Sequence, residues 1–374
     1  MEHWLNPIAL ESSDESETST KDNQSSVLWG HESLAALPNG NYPTLKAITA
    51  SCLSSEPSRV ERWLGIFERH TVKTESPKVW EALLQRELLN LRMVELTRAE
   101  TLVDKLVEKV PTIVNGMGWV QFVAHANHWA SAAAVQRWLI HTIKNAKNGQ
   151  GAGELIGLRH ALFPAESWPR ELVYSLETDG SSLYAAGLAH SVAHLWHEPI
   201  TRPVVHPLLL QLLCSNDEQV LTALSAVFVN DGFVADIETR ELLDAFAAYP
   251  NVLKNGRAER LPELLAKLVN AEPERVCRVA HALLDTAGDQ MGNIATSWYL
   301  STEWLLDIAL KLQDMGNKER AAGSMLFERM LEFNMPQAME MTLNLDKRMP
   351  ASGNQRAPVR RRSRLKRQKP MRRS

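Results

Sequence analysis

Between residues 203 and 345 five segments repeat one apolar spacing, and this repetition constrains the fold more than any other feature of the chain. Val205, Leu208, Leu209, Leu212 and Leu213 stand at i, i+3, i+4, i+7 and i+8, one buried stripe of an α-helix. Val220, Ala223, Leu224, Val227 and Phe228 repeat it, as do Leu261, Leu264, Leu265, Leu268 and Val269, then Val276, Val279, Ala280, Leu283 and Leu284. Ala322, Met325, Leu326, Met330 and Phe333 follow with one gap. A helix with a single apolar stripe cannot bury it alone, whereas stacked pairs can.

Helix starts are marked too. Ser215 and Glu218 have the spacing of a capping box, and Pro207, Pro262 and Pro273 read as first-turn prolines, where no intrahelical donor is lost. Units of roughly 40–47 residues built this way are the mark of HEAT and armadillo stacks. The expected fold is all-α, an α-solenoid of HEAT/armadillo-like helical pairs with disordered N- and C-terminal tails.

Upstream, Val60, Trp63, Leu64 and Phe67 carry the same stripe, and further helices are expected over 77–93, 97–110, 132–143 and 182–197. Residues 12–20 hold no apolar side chain and cannot offset their ordering entropy. The division that follows is a disordered acidic segment over 1–40 and a helical part over 41–148. A repeat part over 149–348 and a disordered basic tail over 349–374 complete it. The Gly-rich run at 148–153 is expected to be the internal linker.

Residues 319–333, then Ala338 and residues 343–348, resemble the final repeat of large bacterial HEAT-like proteins. Several members of that group carry a STAND-type NTPase domain and act in phage defence. The resemblance covers about residues 200–348 and implies a sensor or scaffold arm. The NTPase cannot be carried over, because no G-x-x-x-x-G-K-[ST] occurs in the chain.

Charge is unevenly distributed. Ten of the 41 Lys and Arg lie in 356–374, a stretch without any acid, so the other 31 face all 44 Asp and Glu. Arg360, Arg361, Arg362, Arg364, Lys366, Arg367, Lys369, Arg372 and Arg373 are the candidate polyanion-binding residues, suited to nucleic-acid phosphates. Aromatic residues are absent from the tail, so base stacking is not offered. The three cysteines, Cys52, Cys214 and Cys277, are odd in number and widely spaced, which fits a reducing compartment. No apolar run reaches the roughly 18 residues that span a bilayer, and a cytoplasmic location is expected.

The candidate metal ligands are His190, His194 and His197, at i, i+4 and i+7 of an expected helix, with Glu198 beside them and His125 and His128 as outside partners. Three imidazoles around Zn²⁺ would make the chain a metal-dependent hydrolase. The H-E-x-x-H order is absent, and no G-x-S-x-G nucleophile elbow is present. Gly149, Gly151, Gly153 and Gly157 superficially mimic a nucleotide loop, but no strand precedes them. The function expected is therefore non-enzymatic binding or scaffolding of a protein partner, with nucleic acid as a second partner through the tail. No cofactor, membrane or small-molecule substrate is implied.

Overall fold

The computed structural model describes residues 26–30, 42–53, 57–70, 77–145, 149–179, 182–291, 293, 298 and 301–348. Most of those residues are helical, joined by turns, and no strand is found among them. The basic tail, including Arg360 to Arg373, lies outside them.

In chain order the helices are α1 (Tyr42–Cys52), α2 (Pro57–His70), α3 (Pro77–Arg86), α4 (Leu96–Lys109), α5 (Met117–Ala126) and α6 (Ala132–Asn145). Then follow α7 (Gln150–Leu162), α8 (Ser167–Asp179), α9 (Ser182–Leu195), α10 (Arg202–Leu213), α11 (Glu218–Leu224) and α12 (Ile237–Ala248). The last are α13 (Leu261–Leu268), α14 (Pro273–Met291), α15 (Thr302–Gln313), α16 (Asn317–Glu332) and α17 (Pro336–Arg348).

Most helices touch the next one and also the next but one. α3, α5, α7, α9 and α11 pack in succession, and so do α10, α12, α14 and α16. Ion pairs also link successive even-numbered helices. Arg98 of α4 meets Glu68 of α2 at 3.3 Å, Arg137 of α6 meets Asp104 of α4 at 2.8 Å, and Arg275 of α14 meets Asp244 of α12 at 3.1 Å. Such half-exposed pairs contribute about 0–1 kcal/mol each, so burial of the stripes carries the stability.

The apolar stripes of α10, α13 and α14 are buried as the spacing predicts. In α16 the line turns by one position: Gly323, Leu326 and Met330 are buried while Met325 is exposed. Five tryptophans, Trp63, Trp80, Trp119, Trp138 and Trp196, are fully buried. One core runs from Tyr42 to Leu139 and includes Leu155; a second runs from Ile156 to Ala338. The two meet inside α7.

Several sequence expectations need correcting. The cap of α11 is Asp217, whose carboxylate accepts from Gln219 N–H at 2.8 Å, while the Ser215 hydroxyl accepts from Asp217 N–H. A charged acceptor nearer the helix outcompetes the hydroxyl. Pro207 sits inside α10 on its exposed side, because the helix already opens at Arg202. The Gly-rich stretch is no linker from Gln150 onward, since it forms the first turns of α7 and is buried. Residues 26–30, placed in the disordered segment, form a tight turn packed on the body.

Candidate functional site

The site grows out of the α7–α9 contact. Gly149, Gly153 and Gly157 recur every fourth residue and present one face without side chains. A Cβ on Gly153 would lie 2.1 Å from the Tyr184 carbonyl oxygen, and one on Gly187 of α9 would lie 1.9 Å from that of Gln150. The two backbones therefore touch, which only glycine permits. Ser191 completes the seam by donating its hydroxyl to the Glu154 carbonyl oxygen at 2.5 Å. This close approach, not phosphate binding, accounts for the glycines.

Glu154 is the one acidic side chain in that seam, and it is completely buried. Its two carboxylate oxygens accept the backbone N–H groups of Val27 at 2.9 Å and Leu28 at 2.7 Å. Gln150 donates more distantly, at 3.4 Å. Burial pushes its pKa up to about 7, against the opposing pull of the Val27 and Leu28 N–H groups, Ser26 and Gln150.

The turn that supplies those donors is self-contained. The Ser26 hydroxyl accepts from Trp29 N–H at 2.9 Å, and the Ser26 carbonyl accepts from Gly30 N–H at 3.0 Å. A Cβ on Gly30 would collide with that carbonyl at 2.2 Å. Glu154 thus caps residues 26–30 as an acid caps the start of a helix, but from a different part of the chain. Val27 and Leu28 pack on the first core and Trp29 on the second, so the turn straps the two together.

Trp29 lies flat on His194, with ring centroids 5.1 Å apart and planes 8° apart. Burial lowers the His194 pKa to about 4, with His190, His197 and Arg257 adding repulsion. His197 is also lowered to about 4, first by burial; the Val227 carbonyl and Asp231 oppose this and Arg202 adds to it. Both rings are therefore neutral near pH 7.

The three histidines do not form a metal centre. Among the described residues no group of three His, Cys, Asp or Glu side chains could hold a metal ion. The spacing argument fails because α9 ends at Leu195, so His197 lies in the turn beyond it. There it packs edge-on to Trp196 and against Phe233 and Gly232. His190 is buried within α9, and His194 is covered by Trp29. His125 and His128 contact each other, with ring centroids 6.4 Å apart.

Two open clefts lie elsewhere. One of about 440 Å³ between α8 and α10 is lined by His160, Arg170, Tyr174 and Pro207 among others. The second, of about 460 Å³, is bordered by Asn216, Glu218, Lys254 and Asn255.

Sequence reasoning missed Glu154 and Trp29. The available signals were an isolated acid within a run of small and aliphatic residues, and the apolar triplet Val27, Leu28 and Trp29 in an otherwise polar stretch. No helix among the described residues is long and apolar enough to cross a membrane. No family model, curated protein or solved structure matches the chain.

Proposed function

We infer that this chain is a non-enzymatic binding or scaffold protein, an α-solenoid of HEAT/armadillo-like helical pairs whose partner is a segment of another protein. The packing of successive helices on next-but-one neighbours, α3 through α11 and α10 through α16, supports the solenoid reading, because stacked pairs contact in that order and leave extended surfaces for partners. The observation that carries the binding reading is the seat of residues 26–30. There the helical body holds a short peptide turn by its backbone and one aromatic ring. The resemblance of residues 200–348 to sensor and scaffold arms of defence proteins agrees with this reading.

Panning a random peptide display library against the immobilised full chain tests it. Recurrent sequences that compete with one another for the chain are expected. Enrichment no greater than on an unrelated helical protein would overturn the reading.

A second reading rests on the ten Lys and Arg of 356–374: this tail contacts nucleic-acid phosphates. Removing residues 358–374 should then weaken RNA or DNA binding and flatten its dependence on salt. Unchanged affinity counts against it.

A further inference from the structure

The recess floored by Glu154 and walled by His194 has a property that ordinary core packing does not need. Its acceptor is a carboxylate with no exposed surface, and its principal donors are main-chain N–H groups from more than a hundred residues away. A charge of this kind is tolerable only when paired. Val27 and Leu28 meet Glu154 through their backbone, so any chain segment offering two successive N–H groups satisfies it equally. Selectivity comes from the neighbours of those two residues. Ser26 fixes the turn through the Trp29 and Gly30 N–H groups, and Trp29 adds a flat ring matched to the neutral imidazole of His194.

Resting on the binding reading above, we propose that this recess is a receptor for a peptide turn with two free backbone N–H groups followed by an aromatic side chain. Residues 26–30 are its ligand in cis, and a partner protein's turn of the same chemistry displaces them. Exchange, rather than simple filling, follows from the buried carboxylate: an empty recess would leave Glu154 with Gln150 as its remaining side-chain donor. Tethering gives the internal turn a high effective concentration, so the full chain discriminates against weak ligands until the strap is released.

The test uses the full chain and a fluorescein-labelled, end-blocked peptide copying residues 23–33. Val27→Pro with Leu28→Pro removes both donors while leaving Trp29 and the receptor side intact. Fluorescence anisotropy should show the peptide binding this unlatched chain at least tenfold more tightly than the wild type. A peptide carrying proline at both donor positions should fail to bind, and Glu154→Ala in the unlatched chain should abolish binding. Equal binding to wild type and unlatched chain, or none to either, overturns the proposal.

Should the unlatched chain not fold, the wild type still decides. Excess unlabelled peptide must accelerate hydrogen exchange at the Val27 and Leu28 amides, and no acceleration overturns the proposal. A strap supplied by a second copy would appear as a concentration-dependent dimer of the wild-type chain in light scattering, absent from the unlatched chain, which would overturn the partner assignment. Display-selected peptides that bind without competing with the 23–33 peptide would leave the binding function standing and reject this recess as its site.

Discussion

Trp29 covers the imidazole of His194 in a parallel stack, 5.1 Å between ring centroids, and joins residues far apart in the chain. The stack sits beside the bonds to Glu154, so turn, carboxylate and histidine respond together. Trp29→Ala should rehydrate the imidazole and move its pKa from about 4 up towards 6.5. A histidine NMR titration reads this directly. A value still near 4 would mean that other neighbours, not the strap, keep the ring dry.

Stability against pH combines opposing contributions. Glu154 has a pKa of about 7 in the fold against an ordinary 4.5. Its burial therefore costs nothing below pH 4.5, and the cost grows as pH rises through 7 to about 3 kcal/mol. His194 and His197 act the other way, with pKa about 4 against 6.5. Their contribution is complete above pH 6.5 and is lost as pH falls towards 4. Burial also lowers His125, His141, His160 and His281, which adds to the acid loss. Burial raises Glu87 as well, but the six histidines outweigh the two acids, so urea midpoints should fall between pH 6.5 and 4.5. His197→Gln should flatten that fall and Glu154→Gln should steepen it. Parallel curves for all three proteins would contradict the assignment.

One glycine in the α7–α9 seam and one outside it should respond to alanine with opposite signs. Gly65 in α2 has only the Arg69 side chain nearby, 3.5 Å from a built Cβ, so Gly65→Ala should stabilise by up to about 1 kcal/mol through helix propensity. At Gly187 the same change drives a methyl into the Gln150 carbonyl oxygen, 1.9 Å away. Forcing the helices apart there should cost roughly 3 kcal/mol or more. Denaturation midpoints decide, and a stable Gly187→Ala protein would refute the close approach.

Arg159, 2% exposed, holds Glu166 through Nε at 2.8 Å and Nη2 at 2.5 Å, and Asn127 through Nη1 at 3.0 Å. Its guanidinium also lies 3.7 Å over the Phe163 ring. Arg159→Ala should cost about 3–5 kcal/mol. Arg159→Lys should recover only part of it, since an ammonium cannot reproduce the forked bonds or the stacking. Full recovery by lysine in thermal melts would show that charge alone matters there.

The helical stripes were legible because burial follows a fixed period: Val276, Val279, Ala280, Leu283 and Leu284 are all buried where the spacing puts them. Gly149, Gly153 and Gly157 misled because glycine lowers intrinsic helix propensity, and only the partner helix reveals what offsets that cost. Positions within a helix said nothing of where α9 would end, and the supposed alignment of His190, His194 and His197 fails at that end. The strap was hidden for another reason. Its turn is too short for any period to register, and Glu154 stands 126 residues from Leu28 and 127 from Val27. Pairing at that range is set by the assembled body.

Native-state hydrogen exchange at the Val27 and Leu28 amides of the full chain tests the central claim most directly. Donation to a buried carboxylate predicts strong protection of both amides near pH 7.5, lost together in Glu154→Ala while α14 amides stay protected. Exchange of Val27 and Leu28 at the rate of an unfolded peptide would contradict the claim that the helical body holds this turn.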